Sequence, residues 1–492
     1  MAMLMETGPT CNVLHVAWRA GGGGSRYSVR MMRRLPLPLL LAASAIGVPA
    51  MATAQMAAGQ TDTTLESTGV YQRYPWLPRL LGAQVTLIGQ DMPPFHAPYD
   101  GRNSLTDRGD ARATHTYGVY IGSRVTPFFQ VYIDAEMARG SGIGHAAGVA
   151  GLTDGDVIRQ GSANLGQGPY LARAYARYLV PLGRARDTAD RAQDQVPGAE
   201  PTTRLEIKAG LFALSDDLDL NRYAGSARTQ FMDLALWDDA AWDYAADTRG
   251  YTHALLVGYV SPRWALKLAA GQMPTKANGN VFDDDLSRAY ALNAELSLHP
   301  IENGTVVRVL VYDNHARMGV YRAAIDAARA RDTTPDIVAD DRKGRAKYGF
   351  GVNLEQPLAD SGNTGAFLRL GWNDGKTEDF AFTEADRHVS GGLQLAGTVW
   401  HRPRDRVGFG AAIDGLSKDH EDYLAAGGAG FLLGDGRLRY GTENIIEWYY
   451  RFEVPHATFV QLSPAIQHIQ NPGYNEDRGP LYIYTVRINL HY

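Results

Sequence analysis

Residues 482–492 read YIYTVRINLHY and are the last eleven positions of the chain. Apolar or aromatic residues occupy every second position, and mainly polar residues such as Thr485, Arg487 and Asn489 lie between them. Side chains alternate between the two faces of a strand, so one face of this segment is apolar and the other is polar. A soluble β-protein can also end on a strand, but an apolar side for lipid and a polar side for water are typical of a transmembrane β-barrel.

The amino end carries the features of a secretory signal peptide. Arg30, Arg33 and Arg34 precede an apolar run at 35–50, and an Ala-x-Ala sequence follows at Ala52–Ala54. Three prolines interrupt this run, which is shorter than the roughly 20 residues of a transmembrane helix. The predicted organisation is an extension at 1–30 ahead of an alternative start at Met31 or Met32, a signal peptide at 31–54, a periplasmic lead-in at 55–79 and an outer-membrane barrel domain at 80–492.

Cysteine content and charge exclude several classes of protein. Cleavage after Ala54 would remove Cys11, the only cysteine, so disulfides and cysteine-ligated zinc sites are not expected. The same cleavage removes five Arg and one Glu and changes the formal net charge from −5 to −9, which argues against nucleic acid as a partner. Beyond the amino end, no run of about 18 apolar residues occurs, so a helical membrane protein is excluded.

Sixteen segments of about ten residues have the alternation of half-buried strands. In one of them Phe129, Val131 and Ile133 share a face, and charged side chains recur on the opposite face. The number is even, as in single-chain bacterial barrels. The predicted strands are 81–90, 116–125, 128–137, 170–181, 203–214, 251–261, 263–273, 288–298, 304–314, 346–356, 364–373, 388–400, 406–416, 442–452, 456–466 and 482–491.

The connections between these segments alternate in length. Those after odd-numbered strands are long, whereas those after even-numbered strands are mostly tight and carry Pro, Gly, Asn or Asp. Only the connection at 182–202 breaks the rule. A soluble sandwich has no reason to keep this alternation, whereas outer-membrane barrels have long loops on one rim and short turns on the other. We therefore predict an all-β fold, a transmembrane antiparallel β-barrel of about 16 strands with short periplasmic turns and long extracellular loops.

Three neighbouring strands place charged and aromatic side chains on the face opposite to the apolar one. Facing lipid, such charges would cost several kcal/mol, so we expect them to line a water-filled lumen. Acids beside bases hydrogen-bond hydroxyl groups without strongly favouring one sign of ion. The alternative is that they only solvate the lumen and pair with one another. The predicted pore-lining residues are Tyr132, Asp134, Glu136, Arg173, Tyr175, Arg177, Arg204, Glu206 and Lys208, with the two tyrosines as stacking surfaces.

The segment 215–250 is a long, acidic loop that contains Trp237, Trp242 and Tyr244. One interpretation is that it folds into the barrel and narrows it. The other is a surface loop whose carboxylates bind divalent cations between lipopolysaccharide molecules. The sequence leaves both interpretations open.

Patterns for catalysis, cofactor binding or metal binding are weak. A barrel enzyme needs a nucleophile, a base and an orienting group that converge, and no Ser/His pair suggests them by spacing. The glycines at 140–148 lack the strand-then-helix setting of a phosphate-binding loop. Since no histidine pair has metal-ligand spacing either, we predict no catalytic residues, no cofactor and no metal site.

Several stretches resemble the OprB-type family of carbohydrate-selective porins of Gram-negative outer membranes. They are GLTDGDVIRQGS at 151–162, DLNRYAGSARTQF at 219–231 and LSPAIQHIQNPGYN at 462–475, which leads into the final strand. Tyr492 is similar to the aromatic carboxyl signal by which the barrel assembly machinery recognises such proteins. The resemblance extends from about Leu80 to Tyr492.

This resemblance implies a sixteen-stranded barrel whose pore is narrowed by inward loops and admits mono- and small oligosaccharides into the periplasm by passive diffusion. The long, tryptophan-rich loops do not match the family's constriction residue by residue, so a sugar preference does not carry over. We expect a non-enzymatic diffusion channel, surrounded by outer-membrane lipid and lipopolysaccharide, as a monomer or homotrimer. The alternatives are a barrel for polysaccharide export, and a barrel enzyme or structural protein with a plugged lumen.

Overall fold

The computed structural model describes residues 78–158, 165–166, 168–299 and 304–492, together with Thr7–Gly8 and Cys11–Asn12. Thr7–Gly8 and Cys11–Asn12 pair as a small antiparallel hairpin within a first compact unit, Met1–Gly59. The predicted signal peptide, the rest of the predicted extension and nearly all of the predicted lead-in lie outside the described residues. The second unit, Gln60–Tyr492, contains the barrel.

Sixteen antiparallel strands close into a barrel, in which each strand pairs with the next and the last pairs with the first. The predicted fold class is confirmed, and each of the sixteen predicted strands is present with ends that differ by a few residues. The strands are β1 (Leu80–Met92), β2 (Asp110–Thr126), β3 (Phe129–Gly140), β4 (Tyr170–Pro181), β5 (Arg204–Phe212), β6 (Thr252–Val260), β7 (Trp264–Gln272), β8 (Tyr290–Leu298), β9 (Val306–Met318), β10 (Arg342–Ala359), β11 (Thr364–Asn373), β12 (Arg387–Gly397), β13 (Arg402–Gly415), β14 (Glu443–Glu453), β15 (Val460–Gln470) and β16 (Leu481–His491).

The two faces of each strand differ in burial as the alternation predicts. In β16, Thr485 and Arg487 point inward and are buried, whereas Tyr482, Tyr484 and Val486 point outward and are about half exposed. The outward faces of the remaining fifteen strands also carry large apolar side chains. This largely apolar outer surface suits lipid, and most polar side chains of the wall point into the interior.

Aromatic side chains lie on the outer surface near the strand ends. Tyr259 and Trp264 contact each other with ring centroids 4.4 Å apart, and Phe350 stacks on Trp372 at 5.6 Å. Tryptophan and tyrosine are enriched at membrane interfaces, so these pairs fit the girdles of a membrane barrel.

The long connections share one rim of the barrel and carry short helices. These are α1 (Leu234–Trp237), α2 (Tyr321–Arg331) and α3 (Lys418–Ala425), whose N-cap Ser417 accepts a hydrogen bond from the His420 amide. In the described parts of the chain, no helix has the length and apolar character needed to cross a membrane. Single 3₁₀ turns lie at Ile143–His145, Leu214–Asp216, Asp360–Gly362, Thr398–Trp400 and Pro472–Tyr474.

The connection after β4, which breaks the alternation of lengths, folds back against the lumen. Arg186–Ala189 pairs with Gly198–Pro201, and we call this segment, 182–203, the inserted hairpin. Its residue Val196 is fully buried, and the amide of Val196 donates a hydrogen bond to the Tyr132 hydroxyl at 3.2 Å. The inserted hairpin therefore covers part of the lumen beside the short-turn rim.

Candidate functional site

The connection between β5 and β6, residues 213–251, folds into the barrel and is here called the lumen loop. Two charged side chains of the wall hold its middle. Glu447 of β14 accepts hydrogen bonds from the amides of Met232 and Asp233 at 2.8 and 2.9 Å. Arg487 of β16 donates to the carbonyl oxygens of Ala227 and Gln230 at 2.6 and 2.8 Å. These polar groups point inward because the strand period of two places them opposite the lipid-facing residues.

Arg369 of β11 fastens the first turn of the lumen loop. Its guanidinium group donates to the Asp219 carboxylate at 2.8 Å and to the carbonyl oxygens of Ala224 and Leu236 at 2.7 and 3.1 Å. The guanidinium group is fully buried, so the charge requires both the ion pair and the carbonyl partners.

The far end of the lumen loop is held by β8 and β9. The Trp242 indole N–H donates to Oδ1 of Asn293 at 3.0 Å, and the Tyr312 hydroxyl donates to the Ala241 carbonyl at 2.8 Å. Close approach also needs small wall residues, since a Cβ atom added at Gly371 would lie 1.9 Å from Oδ1 of Asp239. The lumen loop is thus anchored along the wall from β8 to β16. The interpretation that segment 215–250 folds into the barrel agrees with the structure.

A central cavity of about 280 Å³ remains between the lumen loop and the opposite wall, formed by β2, β3 and β4. It reaches from loop residue Ile158 near the long-loop rim to Gln193 of the inserted hairpin near the short-turn rim. Among the described residues, three carboxylates and three guanidinium groups line it: Glu136, Asp156, Asp216, Arg173, Arg228 and Arg249.

Glu136 of β3 is the centre of one group of hydrogen bonds in this cavity. Arg228 of the lumen loop donates to Oε1 of Glu136 at 3.1 Å and to Asp156 at 2.7 Å. The hydroxyls of Tyr251 and Tyr170 donate to Oε2 of Glu136 at 2.6 and 3.2 Å. Burial lowers the pKa of Arg228, but the carboxylates of Asp156 and Glu136 raise it by more than burial lowers it. The pKa of Arg228 is therefore well above its ordinary value, and the guanidinium group stays charged.

Arg173 of β4 forms the second group. It binds Asp216 with two parallel N–H···O bonds of 2.7 Å each, a bidentate geometry that fixes the guanidinium plane. Burial raises the pKa of Asp216, but the charge of Arg173 outweighs burial and holds the pKa below its ordinary value. The carboxylate is therefore ionised at neutral pH.

Aromatic rings stand beside these charges. Arg249 lies over the Tyr170 ring at 4.5 Å, and Arg173 lies over the Tyr251 ring at 5.1 Å. Trp237 borders the central cavity, and its indole nitrogen has no hydrogen-bond partner among the described residues. A second cavity of about 290 Å³ shares Trp237 with the first and extends past Arg222 and Glu355.

The structure places all nine predicted pore-lining residues on the inward face, but only Glu136 and Arg173 line the central cavity. Tyr132 and Tyr175 stack on each other, with centroids 4.9 Å apart, and the inserted hairpin covers Tyr132. The others form ion pairs among themselves and with neighbouring loops: Asp134 with Arg173, Arg177 and Arg204 with Glu206, and Lys208 with Asp217.

The alternation along the strands does not identify Asp156, Tyr170, Asp216, Arg228 or Tyr251 as cavity residues. Two of them lie within the stretches that resemble a family: Asp156 in 151–162 and Arg228 in 219–231. The resemblance of those stretches is the sequence feature that could have pointed to these residues, because no periodicity predicts which loop side chains contact a strand inside a barrel.

Comparison with known proteins gives a family. A family model described as "Carbohydrate-selective porin, OprB family" matches residues 199–492, more than half of the chain. The chain is similar to the high-pH structure of OprB from Pseudomonas putida, with a TM-score of 0.61, 15% identity, and coverage of 84% of this chain and 94% of that one. It is also similar to the outer membrane channel DcaP of Acinetobacter baumannii, with a TM-score of 0.45, 10% identity, and coverage of 84% and 96%. No curated protein matches.

The matched region contains most of the wall and the whole lumen loop. The likeness to the Pseudomonas putida structure shows the fold, and the family match covers the part of the chain that narrows the lumen. This chain therefore belongs to the OprB family of carbohydrate-selective porins, and it is an outer-membrane porin for carbohydrates.

Proposed function

We propose that neutral mono- and small oligosaccharides diffuse through the central cavity, between the lumen loop and the wall of β2 to β4. The observation that carries this proposal is the gap between the lumen loop, whose main chain is held by β8 to β16, and the wall of β2 to β4, with pairs of opposite charges across that gap. Translocation on this route is passive and involves no chemical step.

The chemistry of the lining suits sugar hydroxyl groups, which both donate and accept hydrogen bonds. Glu136 and Asp216 accept hydrogen bonds, whereas Arg173 and Arg228 donate them. A sugar hydroxyl can therefore take the place of a water molecule that hydrates either a carboxylate or a guanidinium group. Carboxylates and guanidinium groups are equal in number among the described residues of the lining, so neither sign of ion is strongly preferred. Tyr170, Tyr251 and Trp237 offer flat apolar surfaces for the C–H faces of a sugar ring.

In this proposal only Glu136 and Arg173, of the nine residues predicted from sequence, contact the solute. The other seven, Tyr132, Asp134, Tyr175, Arg177, Arg204, Glu206 and Lys208, brace the wall and the inserted hairpin. Arg177 supports this role, because it joins Glu206 of β5 to Glu200 of the hairpin at 2.6 and 2.8 Å.

Export and assembly are proposed from the sequence. A signal peptide at 31–54 directs the chain to the periplasm, residues 55–79 form a lead-in, and residues 80–492 form the barrel domain. The barrel assembly machinery recognises the final strand ending in Tyr492, and lipid and lipopolysaccharide surround the mature protein as a monomer or homotrimer.

Liposome swelling with the refolded protein tests the proposed route. Neutral sugars of increasing size should cause rapid swelling with a size cut-off, and size-matched charged solutes should enter more slowly. If folded barrels cause no swelling, the lumen is closed and the proposed route is wrong.

Paired variants then locate the path. Arg228→Gln removes a charge from the central cavity and should change sugar uptake and ion selectivity. Arg204→Gln, with the same change in charge beside the inserted hairpin, should leave both nearly unchanged, because Glu206 keeps its ion pair with Arg177. The opposite pattern would place the path along the seven covered residues.

A further inference from the structure

A buried cluster outside the central cavity joins two of the long loops. Asp379 and Asp386 lie in the connection between β11 and β12, and His420 lies in α3 of the connection between β13 and β14. All three side chains are at most 1% exposed. Nδ1 of His420 lies 3.2 Å from Oδ2 of Asp386 and 3.8 Å from Oδ2 of Asp379. One potential ligand atom from each residue lies within 4.8 Å of the others.

The polar atoms of this cluster are only partly satisfied. Within the described part of the chain, Oδ2 of Asp379, Oδ1 of Asp386 and Nε2 of His420 have no hydrogen-bond partner. Buried polar atoms almost always have partners, since an unpartnered one costs about 1–3 kcal/mol, and more when it is charged. Of these atoms, Oδ2 of Asp379 faces Nδ1 of His420 at 3.8 Å, too far for a hydrogen bond, so this buried oxygen lacks a partner on the side where a ligand could bind.

The charge of the cluster indicates the sign of that ligand. Lys347 of β10 is the cation beside it: the Lys347 ammonium group donates to Oδ1 of Asp379 and lies 3.7 Å from Oδ2 of Asp243. Three buried carboxylates and one ammonium group leave a formal charge of −2 when the imidazole is neutral. A buried excess of negative charge requires protons or a cation.

We propose that Asp379, Asp386 and His420 bind one divalent transition-metal ion, represented by Zn²⁺. One imidazole nitrogen with two carboxylate oxygens is a ligand set for zinc and related first-row metals, whereas Ca²⁺ and Mg²⁺ prefer oxygen alone. Two ligands bonded at about 2.0–2.1 Å to a tetrahedral ion lie about 3.4 Å apart, close to the separations between Nδ1 and the two carboxylates.

The surroundings hold these ligands in orientation. Tyr321 of α2 stacks on the His420 ring with centroids 4.2 Å apart and planes 13° from parallel. The Ser417 amide donates to Oδ2 of Asp386 at 2.7 Å, and Lys347 occupies the Asp379 oxygen that does not face the imidazole. Such outer partners fix the direction of metal ligands.

The ion would fasten the long loops over the lumen. Asp243 of the lumen loop accepts hydrogen bonds from the amides of Phe380 and Ala381 at 3.0 and 2.8 Å, directly beside Asp379. A metal that joins Asp379 and Asp386 to α3 therefore ties the lumen loop to two outer connections. This inference does not depend on which solute passes through the barrel.

Metal content of the full-length protein tests the proposal. The protein is refolded with Zn²⁺, Mn²⁺ or Ca²⁺, passed through a desalting column and analysed by mass spectrometry of the elements. We expect close to one Zn²⁺ per chain, weaker retention of Mn²⁺ and no retention of Ca²⁺. Refolding with Zn²⁺ should also raise the melting temperature compared with refolding in a chelator. Equal melting temperatures and no retained Zn²⁺ would overturn the proposal and favour a protonated His420 between the two carboxylates.

Matched histidine variants identify the site. His420→Gln should abolish both the retained zinc and the zinc-dependent rise in melting temperature. His388→Gln is the control, because His388 is equally buried and pairs with Asp414 at 2.7 Å, but its other nitrogen is satisfied by Ser390 at 2.9 Å. Loss of zinc from both variants, or from neither, would place the bound metal elsewhere.

Discussion

Individual charges in the lumen differ in how many partners they have, and this sets what each can do. Arg173 and Arg228 each bind two or more carboxylates, and these ion pairs hold the wall and the lumen loop together. Arg249 lies over the Tyr170 ring at the edge of the central cavity. Its charge is therefore the one that can be altered with least disturbance of the fold.

Arg249→Glu should make the channel more cation-selective. A unit charge at about 4 Å in water is worth about 1 kcal/mol, or about fivefold in permeability, and the reversal changes the charge by two units. The ratio of cation to anion permeability should therefore rise by at least about fivefold. Reversal potentials in planar bilayers with a salt gradient measure the change. Arg439→Glu, an exposed residue on an outer loop, is the control and should have no effect. Equal shifts of the reversal potential for both variants would show that the change arises from the overall surface charge and not from the central cavity.

Asp154, in the loop at 141–169, makes that loop sensitive to pH. Burial raises the pKa of Asp154 to about 6, and the neighbouring charge of Asp156 adds to the increase. The folded loop thus keeps a proton that the unfolded chain releases near pH 4, so stability is lost as pH rises from about 4 through 6. The loss is of the order of 2–3 kcal/mol.

Hydrogen-exchange protection factors of peptides from 141–158, compared between about pH 4 and pH 8, should therefore fall with increasing pH. Asp154→Asn should remove this fall, because an amide does not titrate and still accepts from Thr114. An unchanged pH dependence in the variant would assign the effect to another group.

At the scale of elements, the lumen loop behaves as an internal layer rather than as a surface loop. Its side chains Phe231 and Leu236 are fully buried among wall residues such as Tyr449 and Phe367. Charged anchors on the wall satisfy the backbone groups that this burial removes from water. A loop without such anchors would have to remain in solvent.

Arg369→Met should release the first turn of this layer. It leaves the Asp219 carboxylate buried and unpaired, which should lower the free energy of unfolding by about 3–5 kcal/mol. Conductance should become larger and noisier as the lumen loop leaves the wall. Urea unfolding and single-channel recordings measure the two effects. The control is Arg404→Met, because the exposed Arg404 to Glu453 pair should contribute about 0–1 kcal/mol. A stable, quiet Arg369→Met channel would contradict the assigned role of Arg369.

At the scale of the whole molecule, the apolar outer surface makes the barrel stable in a lipid bilayer. Leu268, at the middle of β7, faces outward and is about half exposed. Leu268→Arg should cost about 2–4 kcal/mol, because the charge would face the centre of the bilayer. Unfolding of the barrel from lipid vesicles measures this cost. Leu182→Arg, equally exposed but beyond the end of β4, should cost about 0–1 kcal/mol.

The barrel, its strand number and the inward or outward direction of each wall residue follow from the sequence by itself. A strand has a period of two, and lipid on one side with water on the other requires two different faces. The alternation along the strands predicts that Glu136, Arg173 and the other seven residues point inward, because direction along a strand is a local property.

Which of the inward residues line the central cavity is decided by the tertiary structure alone. The inserted hairpin covers Tyr132, and the lumen loop brings Arg228 to Glu136 across 92 positions of the chain. The cluster of Asp379, Asp386 and His420 likewise joins two loops, so no spacing of histidines in the sequence signals it. Loop paths depend on many weak contacts with distant strands, whereas the faces of a strand depend only on its own alternation.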